Sequence, residues 1–294
     1  MKVLVIDIGG TFIKYAIMKE DNTILEKGKV PTPQDTKENL IDSIANLYEM
    51  YKPVDGIAIS MPGIIDVEKG LCLMGGALSY NNNHYLRDAL YKRCPVKITM
   101  DNDAKCAATA EAMSGALSDV KNGIVIILGT MIGGGIVIDH KVVRGSHFST
   151  GEVSYIISDK NANPTRETVW GNRCGVPSLC NRYAQLKGLN PEDVDGVLVF
   201  NAANNKEPEG VQALQEYTKE VAVQIWNLQT ILDPEKVAIG GGISSQPILL
   251  EYIAKHLETM SNGCPYKTPK TQLVKCAFEN DANLIGALQY FLIA

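Results

Sequence analysis

The sequence has no excess of positive charge: 28 Lys and Arg stand against 33 Asp and Glu, a formal net charge of −5 over 294 residues. A general binder of nucleic acid or of an anionic membrane needs the opposite balance, so no partner of either kind is expected. An anionic small ligand is not excluded, because backbone N–H groups can hold one. No run of 18 or more apolar residues occurs, which leaves no candidate transmembrane helix. The opening MKVLVIDIGG has one lysine before a short apolar run and no small-residue cleavage site. It reads as a buried first strand rather than a secretion signal. The seven cysteines, at 72, 94, 106, 174, 180, 264 and 276, are odd in number and scattered. They suggest reduced thiols in a cytoplasmic protein, not a disulfide framework. Low-complexity tracts are absent as well.

What is present is an ordinary globular composition, 45% hydrophobic and 21% charged. At about 100–200 residues per domain, the length suggests two lobes. Short apolar runs at 3–6 and 12–18 flank a glycine pair, and a third stretch ends near Val30; together they predict strands in hairpin succession. Apolar residues at three- and four-residue intervals predict a helix from Glu38 to Tyr51, closed by Pro53. Strands are expected at 56–60, 96–100 and 123–128, and an Ala-rich helix at 104–117. A turn is expected over 129–135, with a strand at 136–143 after it. The clearest helix runs from Val211 to Leu232 and stops at Asp233-Pro234. Residues 157–175 and 202–210 read as loops.

One pattern recurs. VLVIDIGGTFIKYAIM and IVIILGTMIGGGIVID both run apolar strand, Gly/Thr turn, apolar strand. Such a repeat suggests two related α/β lobes, each opening with a hairpin whose turn faces a shared cleft.

Chemistry can be assigned to a few short motifs. In Asp7-Ile8-Gly9-Gly10-Thr11, two positions without side chains let N–H groups approach an anion. Thr11 adds a hydroxyl and Lys14 a countercharge; Asp7, at the strand end, can hold Mg²⁺ through water. Gly129, Thr130 and Gly133 offer the same chemistry in the second hairpin. Gly240, Gly241 and Gly242 follow a strand and permit close approach of a ring or a phosphate; a tight strand-to-helix connection would look the same. Asp103 stands where a strand gives way to a helix, beside Asn102. A carboxylate there can take a proton from an attacking alcohol, and it can equally be a helix N-cap.

Taken in order, DIGGTFIK (7–14), SMPGIID (60–66), DNDAKCAA (101–108), GTMIGGGIV (129–137), GEVSY (151–155) and IGGGIS (239–244) resemble the ROK family of sugar kinases. The resemblance covers most of the chain. It implies an α/β fold of two actin-like (ribonuclease H-like) lobes around a central cleft: 1–115, joined by a C-terminal helix at 282–294, and 116–281. It further implies ATP and Mg²⁺, with Asp103 as general base toward a sugar hydroxyl, usually that on C6. Gly9, Gly10, Thr11, Lys14, Gly129, Thr130 and Gly133 would hold phosphates, and Gly240 to Gly242 would lie near adenosine. Gly63, Asn102, Asp103, Glu152 and Tyr155 would line the sugar. A homodimer is expected from the resemblance alone.

Three departures stand out. Tyr155 occupies the position of a His that in the family commonly binds zinc and contacts the sugar, and Tyr is a poor zinc ligand. Only Cys174-Gly175 and a displaced Cys180 remain of the family's cysteine cluster, so zinc is not expected. A Glu that follows that cluster is missing. Met131 stands where the second phosphate loop usually has Gly. The lost His and Glu suggest a pocket open at C1 and C2, suited to a β-glucoside disaccharide, with glucose and N-acetylmannosamine as alternatives. The competing readings are a sugar-sensing regulator without catalysis and a polymerising actin-like protein. A repressor of the family would need a helix-turn-helix module, for which there is no room before the strand at Val3.

Overall fold

The structure is a computed structural model that describes residues 1–157, 163–165, 167–267 and 269–294. The chain divides into two compact units. Unit 1 comprises 1–115, 141–150 and 280–294, and unit 2 comprises 116–140 and 151–279. The segment 141–150, expected with the second lobe, groups with unit 1.

Unit 1 is built on a five-stranded sheet of order β3-β2-β1-β4-β7. Its strands are β1 (Lys2–Ile8), β2 (Phe12–Lys19), β3 (Ile24–Pro31), β4 (Gly56–Met61) and β7 (Lys97–Asn102). A two-stranded ribbon, β5 (Ile64–Asp66) and β6 (Leu71–Met74), lies between β4 and β7 in sequence. The β1–β2–β3 meander is antiparallel, whereas β1, β4 and β7 are parallel. Parallel strands are buried on both faces, and β4 is buried at every position.

The alternation along β1 separates the two faces. Leu4, Ile6, Ile57 and Ile59 join a core with Leu40, Ile44 and Leu47 of α1 (Lys37–Tyr51) and with Leu86 and Leu90 of α2 (Leu86–Tyr91). The other face meets α9 (Ala282–Ile293): a Cβ on Gly56 would run into the Phe291 ring. α3 (Asp103–Ser114) packs on α9 by backbone proximity, since a Cβ on Gly286 would collide with the Cys106 carbonyl. That explains the Ala-rich composition of α3, whose small side chains permit such an approach.

In unit 2 four strands lie in the order β9-β8-β11-β12. They are β8 (Gly123–Leu128), β9 (Ile132–Ile138), β11 (Lys236–Gly240) and β12 (Gln272–Lys275), while the two-residue β10 (Lys141–Val142) falls in the segment assigned to unit 1. Here too a hairpin leads into parallel strands: β8 and β9 are antiparallel, and β8, β11 and β12 are parallel. Helices α4 (Trp170–Arg173), α5 (Val176–Lys187), α6 (Gly196–Asn204), α7 (Pro208–Leu232) and α8 (Pro247–Gly263) share one core with them. The core joins Ile124, Ile126 and Ile239 to Phe200, Leu214, Tyr217, Val221 and Leu249.

Two sequence expectations are corrected. The glycines 133–135 are not a turn: they lie inside β9, paired with Ile127, Ile126 and Val125, and the turn is 129–131. Glycine is required in the strand because a Cβ on Gly134 would collide with the Gly151 carbonyl and Val153. Residues 202–210 are not a loop, for α6 continues to Asn204 and α7 starts at Pro208. Gly210 is there for helix packing, as its Cβ would press on Ala202 and Ala203. Part of the loop expected at 157–175 falls at 158–162 and 166, outside the described residues; within it, α4 forms at 170–173.

Candidate active site

Register explains why motifs distant in sequence converge in unit 1. Asp7 pairs with Ser60, and Ser60 with Asp101, so one row across three parallel strands carries all three side chains. The row lies at the carboxyl ends of the strands, where open α/β sheets bind ligands. Asp7 is buried. Its Oδ1 accepts from Ser60 Oγ at 2.9 Å and from Asn283 Nδ2 of α9 at 3.0 Å, and its Oδ2 lies 3.9 Å from Lys14 Nζ. Burial pushes its pKa above the usual carboxylate value, while these donors and Lys14 pull against that shift.

The Gly9–Thr11 turn is fastened by its carbonyl oxygens. Thr32 Oγ1 donates to Gly9 O at 2.7 Å, Gln34 Nε2 to Gly10 O at 2.6 Å, and Thr32 N–H to Thr11 O at 3.0 Å. The Gly9 N–H is itself taken by Phe12 O at 3.0 Å, so contact with an anion would fall to the N–H groups of Gly10 and Thr11. A Cβ on Gly10 would meet only Ala77, at 3.7 Å, so the glycine leaves open space over the turn.

The third strand ends in the Asn102–Asp103 corner. Asn102, not Asp103, is the N-cap of α3: its Oδ1 accepts from the Lys105 N–H at 3.1 Å. Asn102 Nδ2 donates to Gly63 O and to Asp103 Oδ1, both at 2.9 Å. Asp103 Oδ1 also accepts from the Ala104 N–H at 2.8 Å. One carboxylate oxygen of Asp103 is therefore fixed by two donors, which sets the direction of the group. Gly63 must be glycine, since its φ is +103° and a Cβ would collide with the Met74 carbonyl. The structure thus brings Asp7, Gly63, Asn102 and Asp103 together at one sheet end.

Unit 2 carries the remaining candidates. Its turn, Gly129-Thr130-Met131, is backed by the start of α5: Val176 N–H donates to Gly129 O at 2.8 Å, and a Cβ on Gly175 would collide with the Thr130 carbonyl. Met131 is 41% exposed, and its Cε lies close to Gly171. Gly240 pairs with Ile127 at the end of β11. Gly241 has φ +93° and packs on the Leu128 backbone, which places the 240–242 run beside the 129–131 turn. Gly242 has nothing within 4 Å of a would-be Cβ. Gly133, by contrast, is a paired strand residue rather than part of that turn.

Glu152 precedes a short 3-10 turn at Val153–Tyr155. Gly151, at φ +85°, rests on Gly134 of β9, and Ser154 Oγ donates to Ile132 O, so this loop is pinned to the start of β9. Tyr155 is 55% exposed. Around Cys174, Glu220 of α7 accepts from Arg173 at 3.1 Å, from Arg182 at 2.8 Å and from the Cys174 thiol at 3.4 Å. Burial favours the neutral form of Glu220, but the two arginines outweigh it and hold its pKa below the usual value. Among the described residues no group of three or more His, Cys, Asp or Glu could hold a metal ion.

Comparison with known proteins decides the family. The model of the ROK family matches residues 3–293. The chain belongs to the ROK family. This ROK chain is 30% identical to a β-glucoside kinase of Klebsiella pneumoniae, over 99% of its own length and 96% of that protein's. Among solved structures, a ROK family protein of Streptococcus pneumoniae TIGR4 in complex with sucrose is 27% identical at a TM-score of 0.88, covering 100% of this chain and 98% of that one. A ROK family glucokinase of Streptomyces griseus, in complex with glucose and AMPPNP, shares the fold at a TM-score of 0.85, with 24% identity and full coverage of both chains. The α/β architecture of this ROK chain is accordingly the actin-like fold expected.

Sequence reasoning missed four residues that hold the candidate set in place: Ser60 and Asn283 on Asp7, and Arg144 and Tyr290 behind Asp101. Ser60 and Asp101 lie inside motifs quoted for the family, so a signal existed for them. Asn283, Arg144 and Tyr290 are brought in by folding and have no local signature.

Proposed function

We propose that this ROK chain is an ATP-dependent sugar kinase that transfers the γ-phosphoryl group of ATP to a hexose or β-glucoside hydroxyl, that on C6, with Asp103 as general base. The observation that carries the reading is the Asn102–Asp103 corner: a carboxylate aimed by two donors at the carboxyl end of the sheet, two residues past Asp101, which shares a row with Asp7. In the step, Asp103 accepts the hydroxyl proton as the sugar oxygen bonds to the γ-phosphorus. The bond from that phosphorus to the β,γ-bridging oxygen breaks, ADP leaves, and the proton stays on Asp103. Gly9 to Thr11, Lys14, Gly129 and Thr130 would bind the phosphates, and Gly240 to Gly242 would pass near adenosine. An anion fits best over Gly10, Gly129 and Gly242, where a Cβ would meet nothing closer than 3.5 Å, and scaffold donors occupy the carbonyls of the first turn. Mg²⁺, when bound, would neutralise charge on the phosphates, and Asp7 would hold it through water; a single carboxylate at a strand end suits that role.

Gly63, Asn102, Glu152 and Tyr155 are assigned to the sugar. The preference for a β-glucoside is supported by the name of the Klebsiella relative, and room for a disaccharide by the sucrose in the Streptococcus pneumoniae structure. Two lobes matching the units, a homodimer and a cytoplasmic location belong to the same proposal; no helix of the described residues is long and apolar enough to cross a membrane.

The test is a coupled ADP-release assay over glucose, cellobiose and N-acetylmannosamine with wild type and Asp103→Asn. The expected outcome is turnover of cellobiose above glucose, with kcat lowered about 10³-fold in the variant and its fold retained. Strict glucose preference would overturn the open-pocket reading. No turnover of any sugar, with Mg-ATP and sugar binding both seen by calorimetry, would favour the sugar-sensing regulator.

A further inference from the structure

Asp101 is 1% exposed, and both of its oxygens are engaged. Oδ1 accepts from the N–H of Asn102 at 2.8 Å. Oδ2 accepts from Arg144 through Nη2 at 2.6 Å and Nε at 3.1 Å. The guanidinium lies over the Tyr290 ring of α9, 4.5 Å from its centroid, and its Nη1 donates to Val142 O at 3.4 Å. The planar group is thus held on one edge by a carboxylate and on one face by an aromatic ring, a geometry that lysine cannot reproduce. Asn102, whose backbone Asp101 grips, is the residue whose side chain caps α3, ties down Gly63 and orients Asp103.

We propose that Arg144 is a positioning residue for the Asn102–Asp103 corner, acting through the buried carboxylate of Asp101. The inference rests on the reading of Asp103 as base, and it assigns a role to a residue outside every motif used for that reading. A buried carboxylate without its cation is unstable in a low-dielectric site, and burial already pushes Asp101 toward its neutral form. Once Arg144 is removed, Asp101 must take a proton or reach for water, and either response loosens its grip on the Asn102 N–H. Asp103 would then keep its identity and lose its aim. Displacement of a reacting group by about 1 Å can cost as much as 10²-fold in rate.

The experiment compares Arg144→Met, Arg144→Lys, Tyr290→Leu and Asp103→Asn as full-length proteins, with circular dichroism and thermal unfolding as controls on folding. For folded Arg144→Met we expect kcat on the best sugar to fall about 10-fold or more while the KM for ATP stays within about 2-fold. Arg144→Lys retains the charge without the fork, and should recover kcat only in part, to between the Arg144→Met and wild-type values. Tyr290→Leu should lower kcat about 3-fold through loss of stacking. A role confined to folding would lower the unfolding temperature without this kcat-against-KM split or the lysine rescue. Wild-type kcat in Arg144→Met overturns the proposal, as does a loss that falls on the KM for ATP instead. Should Arg144→Met not fold, wild-type kcat in both Arg144→Lys and Tyr290→Leu overturns it. Asp103→Asn separates the two readings: if that variant turns over normally, the base assignment fails. If it is inactive while Arg144→Met behaves as wild type, the positioning role fails and the base stands.

Discussion

The two hairpin turns, 9–11 in unit 1 and 129–131 in unit 2, occupy the same place in the same topology and are supported differently. The first has, besides the Thr32 N–H on Thr11 O, two side chains, Thr32 and Gln34, that cap its carbonyls from the segment after β3. The second is held by backbone, the Val176 N–H and the bare Cα of Gly175 at the start of α5. Charge is distributed just as unevenly. Unit 1 sets Asp7 and Asp101 near the ends of parallel strands and pairs them with Lys14 and Arg144, whereas the turn of unit 2 has Gly, Thr and Met. A repeated strand–turn–strand unit therefore provides two glycine turns, and the one in unit 1 opens from the same sheet as Asp7 and Asp101. Duplication of a fold does not duplicate its chemistry, because the chemistry sits on the side chains that the two copies do not share.

Removing charge from the first turn should have the largest effect. Asp7→Asn keeps an oxygen for Ser60 and Asn283 to donate to, so the fold should persist while kcat falls about 100-fold. The same variant should be more heat-stable at neutral pH. The pKa of Asp7 is raised in the folded protein by burial, so the native state holds the proton more tightly than the unfolded chain, and ionisation at higher pH costs stability. The advantage of Asn should be full above the folded pKa and should fade as pH falls toward the ordinary value of 3.8. Thermal unfolding of both proteins from pH 4 to 8 checks the sign; a destabilised variant at pH 7 would mean that Asp7 is better paired than its surroundings suggest.

Filling the backbone contact of the second turn should come next. A Cβ at Gly175 would collide with the Thr130 carbonyl, so Gly175→Ala must displace the turn. An overpacking cost of about 1–3 kcal/mol is expected, with a rise of about 10-fold in the KM for ATP and a smaller change in kcat. A loss mainly in kcat would contradict the division of labour between the turns. The smallest effect belongs to the side-chain support of the first turn. Thr32→Val removes one hydrogen bond to Gly9 O, and should cost about 1 kcal/mol with a KM for ATP within about 3-fold of wild type. Chemical denaturation and steady-state kinetics on the same preparations read both.

Much of the fold was legible because the signals are local. The strands at 3–6, 56–60 and 123–128, the helices at 38–51 and 211–232, and the hairpin repeat all follow from periodicity and from Gly or Pro at the ends. The errors fell where glycine had two meanings. At Gly134 and at Gly210 it serves close packing inside a strand and a helix, and sequence pattern cannot separate that from a turn, because the neighbour that demands it lies elsewhere in the chain. Likewise the cap of α3 was assignable to either of two adjacent residues, and only the hydrogen bond from the Lys105 N–H distinguishes Asn102.

The sequence by itself determined the family and the repeated strand–turn–strand pattern and offered candidate residues for the chemistry, since these depend on residue type and on spacing along the chain. Tertiary structure alone decided how those residues are held: that Asp7, Ser60 and Asp101 form one row, that Asn283 and Tyr290 arrive from the last helix, and that Arg144 grips Asp101. Strand register and helix docking set these relations through hydrogen bonds and buried area between segments far apart in sequence, and no local pattern encodes a distance across the fold.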